Sequence, residues 1–171
     1  MLFKNESVDI NSLPSIDLEM FTPIEKRYRI IMIINSIISG AIVAIPIILI
    51  AIFNTEVPLY IGYALLSVLL VYIIFNIYWS RISIQYKSYL LRSNDILFKK
   101  GVIWKRTTAI PFNRIQHVEV KQSAIAKQLN LSKIIIFTAG GNTGDLAISG
   151  LNDETANKIR EFIMGKLKNY V

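Results

Sequence analysis

Two long stretches of the chain carry no charged residue: Ile30 to Phe53 and Val57 to Ser80. Each exceeds the roughly 20 residues a helix needs to cross a hydrocarbon core about 30 Å thick. Only Asn54, Thr55 and Glu56 separate them, so two long helices there must fold back on each other. A backbone in lipid has to satisfy its own hydrogen bonds, which makes an open-ended crossing segment helical. The pattern therefore predicts an antiparallel transmembrane hairpin within residues 23–80, with spans over about 30–53 and 57–80. A buried hairpin of a soluble protein would show charged positions at helical spacing on an outer face, and these runs have none. A cleaved signal sequence would be shorter and would not be followed at once by a second apolar run.

Within the first span Ser36, Gly40 and Ala44 recur every fourth residue. Small residues at that spacing let helix backbones approach closely. The expected partner is the second span, through Ala64 and Ser67; docking of another chain is the sharper alternative. Pro46 is expected to kink the helix. Asn35 and Asn76 fall near the ends of the spans, with no intramembrane charge beside them to serve a transport path.

Residues 1–22 mix acidic and polar residues around Pro14 and read as an irregular lead. Thr22 followed by Pro23 reads as a helix start, with Thr as cap and Pro at the first helical position. After Trp79 the texture changes to short β-rich segments separated by turns. Strands are expected over Ser88–Arg92, Ile96–Lys100, Val102–Ile110, Arg114–Lys121, Lys133–Thr138 and Asp145–Ser149. The continuous apolar run Ile134 to Phe137 reads as a strand buried on both faces. A short helix is expected between Gln122 and Asn130. The C-terminal segment reads as an amphipathic helix capped by Asn152, with Ala156, Ile159, Ile163, Leu167 and Tyr170 on one stripe. Residues 81–171 thus make one small α+β domain, an antiparallel barrel or sandwich capped by a helix.

Charge adds an orientation. Lys26, Arg27 and Arg29 precede the first span and Arg81 and Lys87 follow the second, whereas the loop between them holds only Glu56. That bias places both flanks, and so both termini, on the cytoplasmic side of a cell membrane. The net charge of +7 is concentrated: residues 81–133 carry eleven basic and two acidic side chains. Lys99, Lys100, Lys105 and Arg106 would gather at adjoining strand ends if Gly101 marks a tight turn, with Phe98 and Trp104 among them. Anionic headgroups attract such residues by about 1 kcal/mol each near a bilayer surface.

Other chemistry finds little support. There is no cysteine and one histidine, which excludes disulfides, thiol nucleophiles and a multi-His metal site within one chain. His117 has no nucleophile pattern around it. Asp95 and Asp145 lie in turns, where Asp commonly bonds local backbone. Gly140, Gly141 and Gly144 lack the Gly-Lys-Ser/Thr ending of a phosphate loop and suit a hairpin turn. No cofactor, metal or nucleic acid is expected.

The motifs Gly101 to Arg106 (G-V-I-W-K-R), Ile110 to Gln122 (I-P-F-N-R-I-Q-H-V-E-V-K-Q), Thr138 to Gly141 (T-A-G-G) and Ile148 to Leu151 (I-S-G-L) follow the two spans. In that order the chain, from about residue 26 onward, resembles the YdbS-type bacterial pleckstrin-homology-like (PH-like) membrane proteins. The resemblance implies a PH-like barrel of about seven strands closed by a C-terminal helix. It supplies no catalytic or ligand residues, and phosphoinositide binding does not carry over with it. The expectation is a non-enzymatic binding module anchored at the cytoplasmic face. It would take anionic inner-leaflet lipid, a protein partner or a second copy through Lys99, Lys100, Trp104, Lys105 and Arg106. A structural subunit of a larger membrane assembly, docked through Ser36, Gly40 and Ala44, is the alternative.

Overall fold

The computed structural model describes residues 20–53, 58–139 and 144–168. Two long helices, α1 (Tyr28–Phe53) and α2 (Leu59–Gln85), run antiparallel. Gly40 lies against Ile73, and Lys87 Nζ, just past α2, sits 3.9 Å from Met32 Sδ near the start of α1. Both helices are long and apolar enough to cross a membrane. A core helix of a soluble protein would be mostly covered. Here only 6% and 11% of the most apolar windows are buried. α1 continues on both sides of Pro46. Asn76 spends its side-chain amide on the Tyr72 carbonyl of its own helix, 2.8 Å away.

Among the described residues, seven strands form two antiparallel sheets. The first has the order β1-β2-β3-β4, from β1 (Thr22–Pro23), β2 (Ser88–Leu91), β3 (Asp95–Lys100) and β4 (Arg106–Pro111). The second has the order β5-β6-β7, from β5 (Ile115–Lys121), β6 (Leu131–Thr138) and β7 (Leu146–Asn152). A short 3-10 turn at Phe112–Arg114 carries the chain between them. The five-residue helix α3 (Ala124–Gln128) joins β5 to β6, and α4 (Asp153–Lys168) follows β7. The resemblance implies a barrel of about seven strands; the strands form two antiparallel sheets followed by a helix, an arrangement consistent with a PH-like α+β fold.

The expected helix start at Thr22 and Pro23 is corrected. Those residues pair with Tyr89 and Ser88 as an edge strand, and α1 begins at Tyr28. An edge tolerates Pro because its missing N–H need not serve the ladder. Burial decides the matter: Ile24 enters the core, and the backbone N–H of Glu25 donates to the Gly150 carbonyl of β7 at 2.8 Å. The helical hairpin is therefore inserted between the first and second strands of one sheet.

Three further expectations shift. β4 begins at Arg106 rather than Val102, because Gly101 opens a loop over residues 101–105. The run Ile134 to Phe137 is not buried on both faces: Ile134 and Ile136 are fully covered, while Ile135 and Phe137 are half-buried on the other side. Ala64 and Ser67 are exposed, so the small positions of α1 meet Ile73 instead.

One core joins both sheets and α4. Ile96, Phe98 and Ile110 of the first sheet meet Ile134, Ile136 and Ile148 of the second, with Ala156, Ile159 and Ile163 of α4 across the end. Each large apolar side chain so buried contributes about 1.5–3 kcal/mol. Fully buried Phe112 lies edge-on to Phe162 at 6.0 Å. Asn152 Oδ1 accepts from the backbone N–H of Glu154 at 3.0 Å, the capping contact that the helix's unpaired first N–H groups require.

Candidate functional site

The basic residues singled out in the sequence converge where α2 ends. Gln85 closes α2, Ser88 opens β2 beside it, and β3 runs back antiparallel so that Lys99 stands opposite Ser88. At the end of β3 the chain must reverse within a few residues. Gly101 does this at φ 108, and a Cβ there would meet the Trp104 carbonyl oxygen at 1.9 Å. Only glycine fits such a position. Lys105 returns beside Lys100, and Arg106 pairs with Lys100 across the ladder.

The outcome is a groove of about 250 Å³ lined by Gln85, Tyr86, Ser88, Lys99, Lys100 and Lys105. Ile103 and Trp104 project from the loop beside it, 70% and 87% exposed. Arg106 is exposed one position further on. Lys99 Nζ also lies 4.6 Å from the centroid of the Phe21 ring. Phe98 does not join the group: it alternates with Lys99 along β3, and its ring is in the core. The sequence reading missed Gln85, Tyr86 and Ser88, because α2 runs past Ser80 and delivers its polar end to the same groove.

Electrostatics around the groove reflect crowding of like charge. Lys87, half-buried between Tyr28 and Met32, has its ammonium pKa lowered first by burial and then by Lys100. Buried Tyr89 is pushed up, chiefly by burial and further by Glu25. An anion entering this region would relieve repulsion rather than create it.

The stripe Ser36, Gly40, Ala44 faces inward along α1. Gly40 is buried, and a Cβ on it would meet Ile73 Cδ1 at 2.8 Å. Ser36 Oγ donates to the Met32 carbonyl at 3.0 Å. His117 is exposed, stacks on Phe137 with ring centroids 4.1 Å apart, and places Nε2 3.7 Å from Glu119. Asp145 accepts from the backbone N–H of Thr138 at 3.0 Å and from its hydroxyl, clasping the β6–β7 turn. Gly140 and Gly141 of that turn, and Tyr170 of the C-terminal stripe, lie outside the described residues. Among the described residues no group of three His, Cys, Asp or Glu side chains gathers to hold a metal.

A family model described as bacterial PH domain matches residues 29–167. No curated protein and no solved structure matches the chain. Since the matched stretch takes in both long helices, the six strands that follow them and nearly all of α4, the chain belongs to the bacterial PH domain family.

Proposed function

We propose that this protein is a membrane-anchored PH-like module that binds anionic lipid headgroups through the groove at Lys99, Lys100 and Lys105. The observation that carries the reading is the composition of that site. Three lysines line a concavity at the end of a helix apolar enough to span a bilayer, with Ile103 and Trp104 exposed on the adjoining loop. Basic residues next to an exposed aromatic suit the boundary between headgroups and acyl chains. In this reading α1 and α2 cross the bilayer as a hairpin. The sheets then lie at the cytoplasmic face, a reading supported by the basic residues that flank the spans. The protein acts by binding, not by catalysis. Kinship with the YdbS-type members rests on the quoted motifs. Lipid is preferred to a docked membrane subunit because Gly40, the centre of the small-residue stripe, is already covered by Ile73 within the chain.

The sequence contains two tryptophans, which offers a direct test. A Trp79→Phe variant leaves Trp104 as the reporter in full-length protein reconstituted into nanodiscs. Brominated phosphatidylglycerol should quench Trp104 more than brominated phosphatidylcholine at equal mole fraction. Combining Lys99→Glu with Lys100→Glu should erase the difference. Equal quenching by the two lipids in the unsubstituted groove would sink the proposal.

A further inference from the structure

A second concavity, of about 270 Å³, opens where α1 leaves the sheets and shares no lining residue with the Lys99 groove. Tyr28 and Ile31 of α1 form an apolar wall with Ala126 and Leu131, and Lys121, Ser123, Lys133 and Ser149 are among the polar residues that line the remainder. We propose that it is a binding site for a phosphate-bearing anion, distinct from the Lys99 groove. The proposal rests on the membrane reading above only for where that anion comes from.

Three observations carry it. First, Lys121 and Lys133 are direct cross-strand partners in the β5–β6 register. Like charges facing each other across a ladder are destabilising, so the pair is an expense that a bound anion would offset. Glu119 reaches only one of them, at 2.7 Å from Lys121 Nζ. No ion pair engages Lys133 among the described residues.

Second, the wall carries hydroxyl donors. Ser123 Oγ accepts from the backbone N–H of Ala126 at 3.3 Å, which leaves its own proton available. Ser149 has no side-chain hydrogen bond among the described residues. Lys133 and the two hydroxyls are donors without a carboxylate partner among the described residues, and Lys121, shared with Glu119, adds a second ammonium, a donor set that phosphate oxygens accept from.

Third, a backbone irregularity shapes the cavity. The β6–β7 register shifts at Ser132 and Lys133, so that Lys133 faces Ser149 and Ser132 faces Leu151. Gly150 is the extra residue, at φ 83. Such a bulge bends its strand and re-aims the neighbouring side chains, and bulges are common beside binding sites. The volume lies near the lower end of ligand pockets, roughly 300–1,000 Å³, which suits a headgroup-sized anion.

The test uses the full chain in phosphatidylcholine nanodiscs, with the Lys99 groove neutralised by Lys99→Glu and Lys100→Glu so that only the second site reports. Native mass spectrometry would follow retention of added phosphatidylglycerol, and thermal unfolding would follow stabilisation by glycerol 3-phosphate and by inorganic phosphate. Lys133→Gln should weaken retention about fivefold, as expected for one interfacial charge. Ser149→Ala should weaken it less and keep the parent unfolding temperature in plain discs, whereas Lys133→Gln, relieved of the repulsion from Lys121, should unfold at or slightly above that temperature there. Lipid retention without stabilisation by the free anions assigns the site to a headgroup. Stabilisation by the free anions, lost in Lys133→Gln, assigns it to soluble phosphate. Absence of both responses, or responses that Lys133→Gln leaves unchanged, overturns the site. A chain that fails to enter nanodiscs overturns the membrane reading instead, and the free-anion measurement then still decides the site.

Discussion

The ring of Tyr28 lies across Gly150 so closely that a Cβ on residue 150 would sit 2.7 Å from Tyr28 Cγ. Tyr28 is the first residue of α1, and Gly150 is the bulge of β7. One contact thus joins the foot of the helical hairpin to the second sheet. The hydrogen bond from Glu25 to the Gly150 carbonyl lies just beside it. The sheets are therefore seated on the hairpin by packed side chains and backbone hydrogen bonds, and not merely tethered to it.

Gly150→Ala should loosen that seat. A left-handed backbone costs an L-residue roughly 1–2 kcal/mol before any clash with Tyr28 is counted. We expect a loss of at least about 2 kcal/mol, read as a lowered midpoint in urea titration of the micelle-embedded chain. Gly165→Ala is the matched control. Nothing lies within 4 Å of a Cβ there, so this helical position should gain about 0.5–1 kcal/mol.

Gly40→Leu should pry α1 from α2. The residue is buried against Ile73, and forcing a larger side chain into such a contact costs typically 1–3 kcal/mol. Gly40→Ala should cost far less, because its Cβ would meet only the flexible end of Ile73. Helicity during titration with a denaturing detergent measures both. Sedimentation should show one unchanged mass for all three chains; a change of mass would transfer the stripe to an interface between copies.

Phe112→Ala should remove about 3–5 kcal/mol, since the ring is fully buried at the junction of the two sheets and stands edge-on to Phe162. Chemical denaturation monitored by far-ultraviolet circular dichroism checks it. A loss under 1 kcal/mol would mean the junction is not packed as described.

Lys87 gives a pH signature. Its folded pKa lies below the ordinary 10.5, so the unfolded chain holds the extra proton and folding is penalised while both states are charged. The penalty lifts as pH rises through the folded value toward 10.5, and stability attributable to Lys87 increases over that window. Tyr89 acts in the opposite sense, because its raised pKa makes folding lose ground once the unfolded phenol ionises above about 10. The difference between wild type and Lys87→Met isolates the lysine. The wild-type deficit relative to that variant should shrink as pH rises toward 10.5, measured by thermal unfolding; a flat difference would refute the burial assignment.

Much of this architecture was legible because each element announces itself locally. Two uncharged runs longer than a bilayer's thickness, a three-residue linker and an apolar stripe closed by Asn152 are local patterns. Local hydrogen bonding and burial enforce them in whatever fold they occur. Lys99, Lys100 and Lys105 could be grouped for the same reason, since a tight turn at Gly101 brings near neighbours together. The tertiary structure decided what depends on partners distant in sequence. Thr22 and Pro23 carry the marks of a helix start, yet they form a strand because Ser88 and Tyr89, beyond the whole hairpin, offer an open edge to pair with. Phe98 stands among the lysines in the sequence, yet the register of β3 turns it into the core. Lys121 and Lys133 face each other only because β5 and β6 pair in one register out of several. Composition can place charge in a segment. Only strand register and the packing of Tyr28 on Gly150 gather that charge into two separate concavities at the hairpin's base.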